Sequence, residues 1–252
     1  MNFVEVARKI LFEVASKNGL MEEDVFISAR PLDPKEAIGN VQREDFPISL
    51  GKERMIEVTF KGVRAHCFTD SPRGFSGRLR DVLSLGLDSN GERAIFFATL
   101  NATLKQLGLT RGTIHCKDDE PEKCAETIAH EIRERFGLKR IGLVGLNPAI
   151  LEALVRTFGN ENVRVTDLNK DNIGRKKYGC EVWNGYDSDI EERLILGVDL
   201  LLITGTTFVN GTFDRLYDKV KRIQKTYFIY GVTAAGMSSL LSLPRICPYG
   251  RD

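Results

Sequence analysis

The stretch LLLITGTTFVNGT, residues 200–212, decides the fold. Leu200 to Ile203 are apolar at four consecutive positions, which breaks the in–out alternation of a half-buried strand and requires cover on both faces of a sheet. Working outward, runs of the same kind stand at IGLVG (141–145), VRVTD (163–167), CEVW (180–183) and YFIYG (227–231), separated by helix-like segments. Strands alternating with helices predict a parallel sheet covered on both sides, so residues 139–252 are expected to form a Rossmann-like α/β domain.

Upstream the pattern changes. Phe3, Val6, Ala7, Ile10, Leu11 and Val14 recur at helical spacing before an Asn18-Gly19 stop. Val25 to Arg30 reads as a short strand, and two β-rich runs around Lys61-Gly62 read as a hairpin. Ser76 is expected to cap a helix over residues 77–85, and a second helix covers 91–107. A short strand at Thr113–Cys116 precedes a helix opened by Pro121 and closed by Gly137. These elements predict a small α+β domain at residues 1–138. Pro31 to Arg54 shows no period, and a loop of that length is a candidate lid.

Composition narrows the partners. The 252 residues include 36 basic and 35 acidic side chains, too even a balance for nucleic-acid binding driven by phosphate contacts. No apolar run approaches the roughly 20 residues that span a bilayer, and charges interrupt the first helix, so no membrane segment or leader is expected and the reading is cytoplasmic. The five cysteines, odd in number and widely spaced, read as reduced thiols.

In open parallel sheets ligands bind beyond the carboxyl ends of the strands. The expected ligand-binding residues are therefore Gly145 and Asn147 after the first run, Asp167 ending the second, Thr206, Thr207, Asn210 and Thr212 after the fourth, and Thr233 in the small-residue stretch 231–236. Several have a structural alternative: Asp167 as a turn acid, the segment 204–212 as a hydrogen-bonded turn with Asn210 or Thr212 as a helix cap, and the stretch around Thr233 as close helix packing. The segment after residue 142 is not GxGxxG, which counts against a standard dinucleotide fingerprint. Cys247, Cys116 and Cys124 are the candidate metal ligands, without CxxC or HxxxH spacing, and buried thiols are the competing reading. Arg30, Asp70, Arg73 and Arg78 flank a glycine-rich loop, either as an anion clamp or as solvated charge.

The runs AIFFATLNATL (94–104), IGLVGLNPAIL (141–151), Val165–Asp167, LLITGTTFVNGT (201–212) and ICPYG (246–250) together resemble a microbial protein family described by heavy-metal chelation. The resemblance spans nearly the whole chain. It implies an enolase-N-terminal-like first domain, a Rossmann-like second domain, a ligand cleft between them, a role with a metal or a metal-bearing cofactor, and a homodimer. It carries over no catalytic residue. The expected function is binding of a small anionic metabolite or metal complex in that cleft, with a divalent transition metal or a metal-bearing small molecule as the cofactor. Two alternatives stand beside it: an enzyme using a nucleotide or S-adenosylmethionine-like cofactor with Asp167 on the ribose, and a metal carrier or sensor using cysteine thiolates.

Overall fold

The computed structural model describes residues 2–252. Helix α1 (Phe3–Lys17) starts at Asn2, whose side chain accepts from the Glu5 N–H and satisfies one of the unpaired donors of the first turn. Strand β1 (Asp24–Ile27), helix α2 (Pro34–Ile38), strands β2 (Arg54–Phe60), β3 (Val63–Thr69) and β4 (Phe75–Arg78), and helix α3 (Leu79–Leu83) follow. The four strands form an antiparallel sheet in the order β3-β2-β1-β4. Helix α4 (Asn90–Gln106) is fixed at its start by a reciprocal Ser89–Glu92 capping box. Residues 94–104 of α4 are all buried, as a helix with structure on every side must be.

Helix α5 (Glu120–Phe136) leads into the second sheet: β5 (Ile141–Val144), α6 (Pro148–Phe158), β6 (Val163–Asp167), β7 (Lys176–Lys177), β8 (Cys180–Asn184), α7 (Ser188–Gly197), β9 (Leu200–Thr204), α8 (Thr206–Val209), α9 (Phe213–Arg222), β10 (Thr226–Tyr230), α10 (Ala235–Leu241) and β11 (Arg245–Ile246). The sheet order is β11-β10-β9-β5-β6-β8-β7, parallel except for the β7–β8 edge pair. Leaving out β7, the strands run 3-2-1-4-5-6 from β8 to β11, the doubly wound Rossmann order, and the direction of winding switches between β5 and β9. The parallel sheet read from the apolar runs is therefore present, beside a smaller antiparallel sheet.

Three local expectations are corrected. Residues 31–54 are not structureless: Asp33 and Glu36 form a capping box on α2, and Leu32 bridges to Met55. Ser76 caps no helix; residues 75–78 pair with β1, and the short helix begins only at Leu79, where Asp81 accepts the Arg78 N–H. Pairing with the open edge of β1 outweighs a local cap. Residues 113–116 form only an isolated bridge, Ile114 to Arg251, and the Thr113 carbonyl accepts from the His66 N–H.

The apolar interior has two parts, divided by the parallel sheet. Leu200, Leu202, Ile141, Leu143 and Val165 pack with α5 and α6 on one face. Leu201, Ile203 and Ile229 pack on the other with α4, α7, α9 and α10, in the same cluster as Ile56 and Val58 of β2 and Leu11 of α1. Phe3 at the chain start lies edge-on to Phe213 and Tyr217, with centroids 4.9 and 4.7 Å away, and meets Phe208 at 6.3 Å. Asn101, fully buried on α4, ties the two sheets together: its Oδ1 accepts from the Gly236 N–H (2.7 Å), and its Nδ2 faces the carbonyls of Val232 (3.1 Å), His66 (3.3 Å) and Thr233 (3.4 Å). Among the described residues no helix is long and apolar enough to cross a membrane.

Candidate functional site

The carboxyl ends of β5, β6, β8, β9 and β10 open into a cavity of about 690 Å³. Its floor is made by the loops that leave those strands, and its roof by residues 46–53, the end of β3, and the segment His115–Cys116 with the first turns of α5. The switch point places Gly145 against β9. Gly145 has φ +86, and a Cβ there would lie 2.6 Å from Thr204 Cγ2, so the close strand ends depend on glycine. The Tyr230 hydroxyl donates to the Gly145 carbonyl at 2.8 Å and closes this corner.

All eight expected ligand-binding residues, Gly145, Asn147, Asp167, Thr206, Thr207, Asn210, Thr212 and Thr233, line the one cavity. Several also have local partners. Asn147 caps α6 by accepting from the Ile150 N–H; Thr207 Oγ1 donates to the Thr204 carbonyl at 2.7 Å; and Asn210 Oδ1 accepts from both the N–H and the hydroxyl of Thr212. Thr233 Oγ1 accepts from the Phe68 N–H, while Gly236 is packed against Asn101 and Leu100. Asp167 accepts from the Leu168 N–H (2.8 Å) and from Asn172 Nδ2 (2.6 Å), and burial raises its pKa despite these bonds. The segment 206–209 is one helical turn, so part of its threonine chemistry serves the backbone.

Glu53, Thr166 and His115 also line the cavity. Glu53 lines the cavity, half-buried, and its carboxyl has no hydrogen-bond partner among the described residues. Burial first, then the charges of Asp167 and Asp70, push its pKa up to about 8. Thr166 is buried, lines the cavity, and its hydroxyl likewise lacks a partner among the described residues. His115 gives its Nδ1 proton to the Cys116 carbonyl at 2.6 Å, which leaves Nε2 as the acceptor, and burial lowers its pKa. The candidate lid was the only pointer to Glu53. It is held by Arg43, which pairs with Asp45 (3.2 Å), Tyr178 Oη (2.6 Å), Glu122 and Glu152, and by a Lys52–Asp171 ion pair. The arginines expected around the Ser71–Gly77 loop do not form a clamp in the cavity: Arg30 pairs with Asp33 and Glu36, Arg78 pairs with Glu22, and of that set only Asp70 reaches the lining.

Cys116, Cys124 and Cys247 also line the cavity. Contact with the Cys116 thiol, then burial, push the Cys124 thiol up to about 12; contact with Cys124, then burial, raise that of Cys247 well above its ordinary value. Among the described residues, no three His, Cys, Asp or Glu side chains converge as a metal ion held by the protein alone would require. The cavity's donors therefore do not fit a resident multidentate metal.

The raised Glu53 pKa sets a direction for stability. The unfolded chain releases this proton near the ordinary 4.5 and the folded chain holds it to about 8, so the folded state loses stability as pH rises between the two values. Glu53→Gln removes that penalty. Its melting temperature relative to the parent should climb between about pH 5 and about pH 9, and a constant difference would show an ordinary carboxyl at position 53.

A Rossmann-order sheet with a cavity at its switch point, roofed by a smaller antiparallel sheet, defines the class of protein. The sequence profile of the DUF364 family, described as "Putative heavy-metal chelation", matches residues 129–242, from within α5 to just past α10, in agreement with the resemblance in the sequence. A DUF364 protein of unknown function from Pyrococcus horikoshii is similar in structure, with 18% identity and a TM-score of 0.54 over 92% of this chain and 80% of that one. Another, from Desulfitobacterium hafniense DCB-2, has 14% identity and a TM-score of 0.46 over 75% of this chain and 72% of that one. No curated protein matches.

Proposed function

We propose that the cavity binds a small molecule carrying a chelated metal ion. The observation that carries this reading is the carboxyl set of Glu53, Asp70 and Asp167, brought to one space from three separate segments. Their mutual repulsion is relieved by a cation, which favours a metal complex over a bare anion. Lys52 and Lys170 are the basic residues in the lining, and Lys52 is already paired with Asp171. The lack of three converging protein donors fits a metal that arrives with most of its ligands supplied by the small molecule. The oxygen-rich remainder would meet the Thr206 and Thr166 hydroxyls and the N-terminal turn of α6.

Nickel–citrate is a suitable probe, set against citrate alone and Ni²⁺ alone in a thermal-shift titration. The complex at about 100 times its dissociation constant should add roughly 2.7 kcal/mol of stability, and each component alone should add far less. The Glu53→Gln/Asp167→Asn variant should lose the response. Equal stabilisation by citrate alone would replace this reading with the anionic metabolite, and equal stabilisation by Ni²⁺ alone would replace it with direct coordination. The 3-2-1-4-5-6 order, with Asp167 ending the second strand, favours a second reading, an adenosine-type cofactor. S-adenosylmethionine and nucleotides run in the same assay decide it.

A further inference from the structure

Residues 39–53, between α2 and β2, contain no helix or strand, and they roof the cavity through Phe46, Pro47, Ile48, Lys52 and Glu53. Among the described residues, no backbone-to-backbone hydrogen bond joins residues 40–53 to the rest of the chain. The Leu50, Gly51 and Lys52 N–H groups close a turn onto the carbonyls of Phe46, Ile48 and Pro47, all inside the segment. The neighbouring parts of the roof are built differently: β3 is paired along its length with β2, and Ile114 exchanges two backbone bonds with Arg251. Side chains hold residues 40–53 in place. Phe46 and Ile48 are buried in the cluster with α5 and α6, Lys52 pairs with Asp171, and the Asn40 N–H donates to Asp118 Oδ1 at 2.8 Å. Gly39 has φ +73, and a Cβ there would lie 2.4 Å from Asp118 Oδ1, so the chain enters the segment through a joint that only glycine fits.

The polar ties converge on one guanidinium. Arg43 pairs with Asp45 of the segment itself (3.2 Å), with Glu152 of α6 and with Glu122 of α5 (3.8 Å), and it donates to Tyr178 Oη at 2.6 Å. Tyr178 in turn donates to Asp45 Oδ2 at 3.0 Å. We propose that residues 40–53 are a hinged lid over the cavity, latched shut by the Arg43 guanidinium. Three carboxylates, from the lid, α5 and α6, surround this one cation, so its removal leaves like charges facing an empty centre. The latch is not a fully satisfied core network. Arg43 Nε and Glu122 Oε2 are buried without a hydrogen-bond partner among the described residues, which makes closure less favourable than a complete set of bonds would. Because the lid carries Glu53, opening takes that carboxyl away from Asp70 and Asp167 and uncovers the cavity, and closing returns it to the bound molecule. In giving the binding cavity its route of entry, the inference rests on the function proposed above.

Hydrogen–deuterium exchange of the full-length protein, read by mass spectrometry with no ligand added, tests the latch. Once Phe46 and Ile48 leave α5 and α6, a turn this short does not keep its hydrogen bonds in water, so the Leu50, Gly51 and Lys52 N–H groups report opening. Arg43→Met keeps the apolar stem and removes the guanidinium. It should speed exchange in residues 46–53 by at least about tenfold and leave the strands at 141–144 and 163–167 unchanged. Tyr178→Phe removes one acceptor of Arg43 and should give a smaller rise in the same residues. Exchange in residues 46–53 of Arg43→Met within about twofold of the parent overturns the proposal, as does an equal rise in the two strands, which marks Arg43 as an ordinary structural residue. Should Arg43→Met fail to fold, Tyr178→Phe decides alone: a rise confined to residues 46–53 supports the latch, and parent-like exchange overturns it. No ligand is present, so failure here leaves the nickel–citrate titration standing, and failure of that titration leaves the lid standing.

Discussion

Asn101→Leu should destabilise the protein by about 3 kcal/mol or more, because leucine fills a similar volume but strands the Gly236 N–H and removes the donor shared by three carbonyls in a fully buried site. The amide is fully buried where α4 lies between the antiparallel sheet and the turn after β10, so no solvent can take its place without opening the interface. Urea unfolding followed by circular dichroism measures the loss. A change below about 1 kcal/mol would mean that water enters and substitutes for the amide, and the two sheets would then be joined by apolar contact alone.

Gly145→Ala is expected to cost about 2–4 kcal/mol, from left-handed strain together with the clash of the new methyl against Thr204. The two contributions can be separated. Thr204→Ser deletes the Cγ2 atom that would lie 2.6 Å from the new methyl, so the double variant Gly145→Ala/Thr204→Ser should recover the steric part and keep the φ strain. No recovery at all would assign the whole effect to the backbone. Because this corner is the switch point, the single variant should also weaken nickel–citrate binding more than its stability loss accounts for.

The parallel sheet was legible because consecutive apolar residues such as Leu200–Ile203 are tolerable only between two helical layers. Its strand ends were legible for the same reason, and the eight residues named there share one cavity. The roof was not. Glu53 is one acid in an irregular segment, and its environment comes from Asp70 and Asp167, which stand far from it in the chain. Nor could β4 be read, since the open edge of β1 that recruits residues 75–78 exists only after the chain has folded. Cys116, Cys124 and Cys247 follow no spacing rule, because the tail that carries the last is held beside Ile114 and Glu120 by Arg251.

The packing of Phe3 on Phe208, Phe213 and Tyr217 bears on how the chain is made. A ribosome delivers Phe3 some two hundred residues ahead of those three rings, so this side chain must wait through that interval without its aromatic partners. A product cut short before α9 would leave Phe3 without Phe213 and Tyr217, giving chaperones and proteases an uncovered aromatic side chain by which to recognise it.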